Sequence, residues 1–274
     1  MTGPFLSIVS ITFQNAAGLA DTLESIARQT STDFEVIVVD GGSTDQTREV
    51  VKSYGRLVTR FTSERDRGIS HAFNKGTAGV RGTLVNYLNA GDRYIDASVL
   101  SRIRDQHRAR PFGWAYGRSK HVDRAGNISP SHKQQRIPYS FDALASGRLS
   151  IPHQATFLAT DLVRSVGGYD ESLKMAMDYD LLLRVARLEE PAQLREALVL
   201  YDNSGISARR NLDNLRAKHA VRARLLELSA SERAIDLGWT YARYALGRAR
   251  RAGKSTAVRT SIGRAILRRL HLLE

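Results

Sequence analysis

The chain has 274 residues, of which 42% are hydrophobic and 25% charged, so it can bury a core; it has no cysteine, which excludes disulfides and thiolate metal sites. It lacks both a run of roughly 20 apolar residues, as a membrane span needs, and a signal-peptide pattern at its start, so we expect a cytoplasmic protein. The net charge is +13, and residues 209–274 hold 16 Lys/Arg against 5 Asp/Glu, a net of +11, which predicts a near-neutral domain (1–208) and a basic helical extension (209–274).

The first part of the chain alternates strands with helices. The helix after the second strand is predicted to begin with Ser43 or Thr44 as its N-cap. This alternation predicts an α/β protein with a doubly wound, parallel sheet. The predicted strands are SIVSITF (7–13), FEVIVVD (34–40), RLVTRF (56–61) and TLVNYLN (83–89).

After about residue 110 the pattern changes, and from Asn211 onward it predicts only helix. The predicted elements between these points are two strands around an Arg-Ala-Gly-Asn turn (114–132), a strand (152–159), a short helix (161–168), a longer helix (178–190) and a last strand (197–202).

Polar side chains follow four predicted strands: Thr12 and Gln14, Asp40, Asp66, and Asp92. In open α/β sheets ligands bind at the carboxyl ends of the strands. Each residue alone could be a turn or cap residue. Four at equivalent positions predict one shared crevice.

The chain resembles the family 2 glycosyltransferases, in particular those that build bacterial surface polysaccharide and O-antigen. The resemblance covers about residues 5–205 and implies the GT-A (nucleotide-diphospho-sugar transferase) fold, a doubly wound mixed sheet, followed here by a helical C-terminal extension. It rests on SIVSITFQN (7–15), LESIARQT (23–30), FEVIVVDGGSTDQT (34–47), SERDRGISHAFNKG (63–76), YLNAGD (87–92), HQATF (153–157) and MDYDLLLR (177–184).

The resemblance also implies which residues bind the nucleotide. A carboxylate at position 40 suits the base or ribose, because it accepts hydrogen bonds from an imide N–H or from hydroxyls. Gln14 stands where family members usually have Asn. The implied set is Thr12, Gln14, Asp40, Asp66, Arg67 and Asn74.

The family's metal motif usually carries two or three carboxylates, and here only Asp92 is left, with Asn89 and Gly91 at the other positions. The resemblance implies that Asp92 binds Mn²⁺ or Mg²⁺, with His153 as a further candidate ligand. One carboxylate can suffice when substrate phosphates and water complete the coordination. The alternative is that Asp92 is an acid at a helix start.

The segment MDYDLLLR carries two acids, Asp178 and Asp180. Two residues apart at a helix start, they cannot face the same direction. By resemblance, Asp178 is the catalytic base of an inverting transfer and Asp180 a supporting acid. The alternative makes both an N-cap pair.

The end of the chain predicts a cationic amphipathic helix. Such helices lie on anionic membranes. Nucleic acid is the rival partner, but no recognition motif accompanies the arginines, so we expect no binding to nucleic acid. The third alternative is that the helix packs on the body or on a second subunit in a homo-oligomer. Its apolar positions are Val258, Ile262, Ile266, Leu270 and Leu273.

Together these features predict a metal-dependent, inverting glycosyltransferase of hexosyltransferase type. The expected donor is a nucleoside-diphosphate sugar, with UDP-sugar favoured, and the acceptor a saccharide or lipid-linked sugar at the inner face of the plasma membrane. Two alternatives remain. The protein could be a catalytically inactive sugar-nucleotide-binding module, or a basic nucleic-acid-binding protein.

Overall fold

The computed structural model describes residues 3–122, 126–129, 133–202 and 211–256. By its contacts the chain divides into two compact units, Met1–Ala208 and Arg209–Glu274.

The first unit is built around a single sheet. Its described strands are β1 (Leu6–Thr12), β2 (Phe34–Asp40), β3 (Arg60–Ser63), β4 (Leu84–Tyr87), β5 (Arg93–Tyr94), β6 (Trp114–Val122), β7 (Ile128–Ser129), β8 (Thr156–Ala159) and β9 (Ala192–Asp202). Its described α-helices are α1 (Ala16–Ala27), α2 (Thr47–Ser53), α3 (Ile69–Ala78), α4 (Val99–Ala109), α5 (Phe141–Ala145), α6 (Thr160–Ser165) and α7 (Met177–Ala186).

The sheet is mixed, with the order β3-β2-β1-β4-β8-β6-β9-β5 and β7 beside β6. Strands β3, β2, β1 and β4 are parallel, as the alternation of strands and helices predicts. Strand β8 runs antiparallel to both β4 and β6, and β9 returns parallel to β6. The parallel half therefore has all its carboxyl ends at one edge.

The core lies on both faces of the parallel strands, which is why β2 is apolar at successive positions. Helix α1 covers one face with side chains at the three- and four-residue spacing of an amphipathic helix. Its buried members are Leu19, Leu23 and Ile26, which join Leu6, Ile8, Val36 and Val38 in one cluster.

Several local predictions are wrong. The strand predicted over 152–159 begins only at Thr156, because His153–Ala155 form a 3-10 turn, and the strand predicted over 197–202 begins at Ala192. Strand β3 begins at Arg60 rather than at residue 56, because Gly55 has a positive φ of 48° and starts a 3-10 turn. The predicted N-cap of α2 is also wrong, since the helix begins at Thr47 and Asp45 accepts the Thr47 amide hydrogen bond. Ser43 instead donates to Asp40, an acceptor that the local pattern does not identify.

The second unit consists, in its described part, of helices α8 (Asn211–Leu225) and α9 (Ala230–Thr256). The Asp236 carboxylate of α9 accepts hydrogen bonds from Arg222 at 2.7 Å and from His219 at 2.6 Å, both on α8. The predicted amphipathic segment from Val258 to Leu273 lies outside the described residues. Among the described helices, none is both long and apolar enough to cross a membrane.

Candidate functional site

The carboxyl ends of β1, β2 and β3 are aligned by the sheet register. Thr12 pairs with Asp40, and Asp40 pairs with Ser63. Parallel pairing in register thus brings together residues that are about 25 positions apart in the chain. The Thr12 hydroxyl is buried there with no hydrogen-bond partner in the protein.

The loop after β1 is held to the loop after β2. Gln14 has a positive φ of 50°, and its amide donates to Ser43 Oγ at 2.8 Å while its side chain donates to Thr44 Oγ1 at 3.0 Å. Between the polar residues lies Phe13, whose side chain is 64% exposed. Phe13 was not among the predicted site residues, because its exposure becomes apparent only in the structure.

Asp40 is fully buried and accepts hydrogen bonds from two serines. It accepts from the Ser43 amide and hydroxyl, and from the Ser63 hydroxyl at 2.6 Å. A carboxylate offers about four acceptor positions. Its three donors leave one acceptor position, so a nucleotide group would bind Asp40 through that position or by replacing a serine donor.

Asp66 lies in the loop after β3 and is paired with a cation. Lys75 Nζ on α3 lies 2.5 Å from its carboxylate, and the His71 ring lies 3.5 Å away. Lys75 also contacts Glu64 at 3.1 Å. Burial acts to lower the pKa of Lys75, but the hydrogen bonds and charges of Asp66 and Glu64 together outweigh it and raise that pKa, so the lysine stays charged.

Arg67 and Asn74 both contact the segment that precedes α7. Arg67 pairs with Glu171 at 2.8 Å, and Asn74 donates to Glu171 at 3.1 Å. Asn74 also exchanges two hydrogen bonds with the backbone of Tyr169. Hydrogen bonds from Asn74 and Arg67 lower the pKa of Glu171. These two predicted nucleotide-binding residues connect the loop after β3 to the region of the predicted base.

The loop that carries Asp92 is fixed by α1. The buried Thr22 hydroxyl lies 2.8 Å from the Asp92 carbonyl and 3.1 Å from that of Asn89, and it accepts from the Gly91 amide. Gly91 has a φ of 103°, which favours glycine and explains the Ala-Gly-Asp sequence. The Asp92 side chain is buried.

The oxygens of this loop suit a hard divalent cation, but they are few. The Asn89 side-chain oxygen is buried and has no hydrogen-bond partner in the protein, and the Asp92 carboxylate is the nearest acid in sequence. Across the described ranges there is no group of three His, Asp or Glu side chains that could hold a metal. A cation here would need oxygens from a bound diphosphate or water.

The two acids at the start of α7 have different surroundings. Asp180 is fully buried and pairs with Arg184 at 2.6 Å, one helical turn later. Arg184 also donates to the carbonyls of Val166 and Gly168. Asp178 is only partly buried and lies two residues after Ala176, which has a positive φ of 59°. Asp180 is therefore held in a buried ion pair, whereas Asp178 is only partly buried at the helix start.

His153 is buried in a group of aromatic rings. Its Nε2 atom hydrogen-bonds to the Tyr169 hydroxyl, and its ring stacks on Tyr87 at 5.3 Å. Phe73 stacks on Tyr169 at 4.6 Å. Burial lowers the pKa of His153, and the charge of Asp178 acts in the opposite direction. A metal at His153 would have to use Nδ1 or displace Tyr169.

The structure therefore groups the predicted residues in two sets. Thr12, Gln14 and Asp40 share one edge of the sheet with the Asp66 loop. His153 and Asp178 are close enough for charge to act between them, and Tyr87, at the end of β4, connects His153 to the strand that leads to Asp92. Sequence reasoning missed Phe13, Lys75 and Tyr169; for Tyr169 the signal was the preceding pair of glycines.

The sequence matches the model of "Glycosyl transferase family 2" over residues 7–160. A PGL/p-HBAD biosynthesis glycosyltransferase of Mycobacterium tuberculosis is 33% identical over 190 residues, which are 67% of this chain and 70% of that protein.

Solved structures share the fold. S. aureus TarS 1-349 in complex with UDP-GlcNAc aligns with a TM-score of 0.66 and 17% identity, over 86% of this chain and 71% of that one. The mannosyltransferase PcManGT from Pyrobaculum calidifontis, in complex with GDP-Man and Mn²⁺, aligns with a TM-score of 0.63 and 18% identity. The alignment covers 97% of this chain and 79% of that one. The chain spans 43% of the longer TarS chain. The predicted GT-A fold is thereby confirmed.

Proposed function

The chain belongs to glycosyl transferase family 2, and from this premise we propose that it transfers a hexose from a UDP-sugar, with inversion, to a saccharide or lipid-linked acceptor. The observation that carries the proposal is the difference between the two acids of α7. Asp180 is paired with Arg184, whereas Asp178 is partly exposed and its charge acts on His153 and Tyr169.

In the proposed reaction the acceptor hydroxyl attacks the anomeric carbon as the bond from that carbon to the diphosphate oxygen breaks. Asp178 takes the hydroxyl proton, and the nucleoside diphosphate leaves with the bonding electrons. Attack from the face opposite the leaving group inverts the configuration, and no covalent sugar–protein intermediate is needed. Ala176 in the left-handed region sets the direction in which the helix, and with it Asp178, begins.

The nucleotide is proposed to bind where β1, β2 and β3 end. Phe13 presents an exposed ring on which a base can stack. Gly41 lies within reach of both Phe13 and Asp66, because a Cβ added there would meet each at 3.2 Å. TarS was solved with UDP-GlcNAc and PcManGT with GDP-Man, which supports a nucleoside-diphosphate sugar for this chain. We propose uracil as the base.

Asp92 and Asn89 are proposed to hold Mn²⁺ or Mg²⁺. A cation bound there offsets the negative charge that develops on the departing diphosphate. Support comes from the unpartnered Asn89 oxygen and from the Mn²⁺ in the PcManGT complex. The Thr22 hydroxyl keeps the loop in place before any ligand binds.

The acceptor is proposed to belong to surface polysaccharide or glycolipid assembly. Support comes from the name of the mycobacterial relative, a PGL/p-HBAD biosynthesis glycosyltransferase. The polypeptide's own contribution is the basic second unit, whose net charge of +11 suits an acidic surface.

A second candidate function is a sugar-nucleotide-binding module without catalysis. It is favoured by the small number of metal-binding acids and by the internal hydrogen bonds of Asp40. A panel of UDP-, GDP- and dTDP-sugars with Mn²⁺ separates the two. An active enzyme releases nucleoside diphosphate in an Asp178-dependent way, whereas a module binds the donor and releases none.

A further inference from the structure

Helix α9 exposes an apolar stripe along one face. We call Ile235, Trp239 and Leu246 the α9 stripe; they are 62%, 61% and 50% exposed. Their spacings of four and seven residues place them on the same side of the helix. Large apolar side chains exposed together in this way mark an interaction surface more often than isolated ones do.

The contacts between α8 and α9 use a different face of α9. Asp236 binds both Arg222 and His219, and Thr240, which is buried, accepts from Arg222 at 3.2 Å. Asp236 and Thr240 are each one position after a member of the α9 stripe, which turns them about 100° away from it on the helix. The pairing of the two helices therefore leaves the α9 stripe open.

The charge of the helices that carry the α9 stripe indicates what covers it. Their described residues, 211–256, include 10 Lys/Arg and 4 Asp/Glu, a net charge of +6. A helix with an apolar face in a strongly basic setting lies in the plane of an anionic lipid surface, with its apolar side chains among the acyl chains. Tryptophan is enriched at that depth, because its ring is apolar while its N–H stays near water.

We propose that the α9 stripe docks this protein on the surface of a membrane that contains anionic lipid. The apolar side chains enter the boundary between headgroups and acyl chains, and the basic residues of the same unit attract the headgroups. This goes beyond the transfer reaction and does not depend on it, since lipid binding is measured without donor or acceptor.

The two tryptophans of the chain allow a direct test. Trp114 is fully buried in the first unit, so its fluorescence should not respond to lipid, whereas Trp239 is in water. With the full chain, vesicles of phosphatidylcholine plus phosphatidylglycerol should shift the emission to shorter wavelength, and brominated acyl chains should quench it. Vesicles of phosphatidylcholine alone should do neither, and added salt should weaken the response.

Matched variants locate the surface. Trp239→Phe should remove the spectral change while the protein still sediments with anionic vesicles. Ile235→Gln with Leu246→Gln should weaken sedimentation by about tenfold or more, because two apolar side chains no longer leave water. Leu188→Gln, at a comparably exposed position (62%) in the first unit, should leave lipid binding unchanged. Circular dichroism checks that each variant keeps its helices.

Three results would overturn the proposal. The first is an emission that is already at short wavelength and insensitive to anionic vesicles, which means that the α9 stripe is covered by protein. The second is a spectral shift that depends on protein concentration without lipid, which indicates a second copy as the occupant. The third is unchanged sedimentation of the double variant. Donor hydrolysis is measured separately, so loss of the proposed transferase function leaves this test intact.

Discussion

Arg184 Nη2 lies 2.6 Å from the fully buried Asp180 carboxylate, one turn earlier on helix α7. The same guanidinium donates to the Gly168 carbonyl at 2.8 Å, next to Tyr169, whose hydroxyl contacts His153. Asp180 thus holds, through Arg184, the segment that supports the base region. Asp178 is only partly buried, so we expect substitutions of the two acids to have different effects.

Asp178→Asn should lower turnover by roughly 10²- to 10⁴-fold, because the positioned proton acceptor is lost. Nucleotide affinity and the melting temperature should stay close to wild type. Steady-state release of nucleoside diphosphate and a thermal melt check this.

Asp180→Asn is the matched control. It leaves Arg184 without its buried partner and should lower the free energy of unfolding by roughly 3 kcal/mol, since breaking a buried ion pair is costly. If Asp178→Asn keeps near-normal turnover while a folded Asp180→Asn loses most of it, the base is Asp180 and not Asp178.

Asp40→Ala should weaken nucleoside diphosphate binding by about 1.5 to 3 kcal/mol, the usual contribution of a hydrogen bond to a charged group. The serines that bind Asp40 provide the control. Ser63→Ala removes one internal donor at 2.6 Å and leaves the carboxylate in place, so it should preserve or improve affinity. Calorimetry measures the affinity for nucleoside diphosphate. If a folded Asp40→Ala variant binds as tightly as wild type, Asp40 serves only to hold the turn at Ser43.

Phe13→Ala should weaken binding of UDP and of UDP-sugar alike by roughly 1 to 3 kcal/mol, because base stacking on an aromatic ring is lost. Stability should hardly change, since the ring is 64% exposed. Phe13→Tyr keeps a stacking surface and should bind as wild type does. Unchanged affinity in Phe13→Ala would show that the base does not stack on this ring.

Metal and nucleotide should bind interdependently. With few protein ligands, Mn²⁺ should bind weakly alone and more tightly with UDP, and Mn²⁺ must tighten UDP by the same factor. Asp92→Ala should abolish this gain while metal-free UDP affinity persists; His153→Ala should reduce it only if the ring is a ligand. Titrations with and without Mn²⁺ measure the coupling, and its absence in wild type would make Asp92 a structural acid.

Acid should destabilise the fold through His153. Burial lowers the pKa of His153 below its ordinary value of 6.5, with Asp178 opposing the shift, while the neighbouring rings of Tyr87 and Tyr169 carry no charge. On acidification the unfolded chain takes up this proton first, so the free energy of unfolding falls as the pH drops below about 6.5.

His153→Gln should therefore lose stability less steeply between pH 6.5 and 5 than wild type, as measured by urea unfolding. An unchanged slope in His153→Gln would assign the acid sensitivity to other groups.

The sequence by itself determined the parallel half of the sheet and the place of the crevice. Apolar runs such as FEVIVVD are typical of a strand covered by helices on both faces, and the carboxyl ends of parallel strands lie at one edge. The glycine before Asp92 was also informative. Glycine readily adopts a positive φ, and Gly91 does so in the turn before Asp92. These are local or periodic properties, which a single chain displays without its partners.

Only the tertiary structure decided which polar groups are already engaged. Asp40 and Ser63 are 23 residues apart, Arg67 and Glu171 are 104 apart, and His153 meets Tyr169 across the aromatic group. Hydrogen bonds between distant segments depend on where the sheet brings them, and no local spacing encodes that. For the same reason the sequence does not distinguish the environments of Asp178 and Asp180, which share one sequence context. Their burial, and the position of Arg184 relative to Gly168, are set only when the whole unit packs.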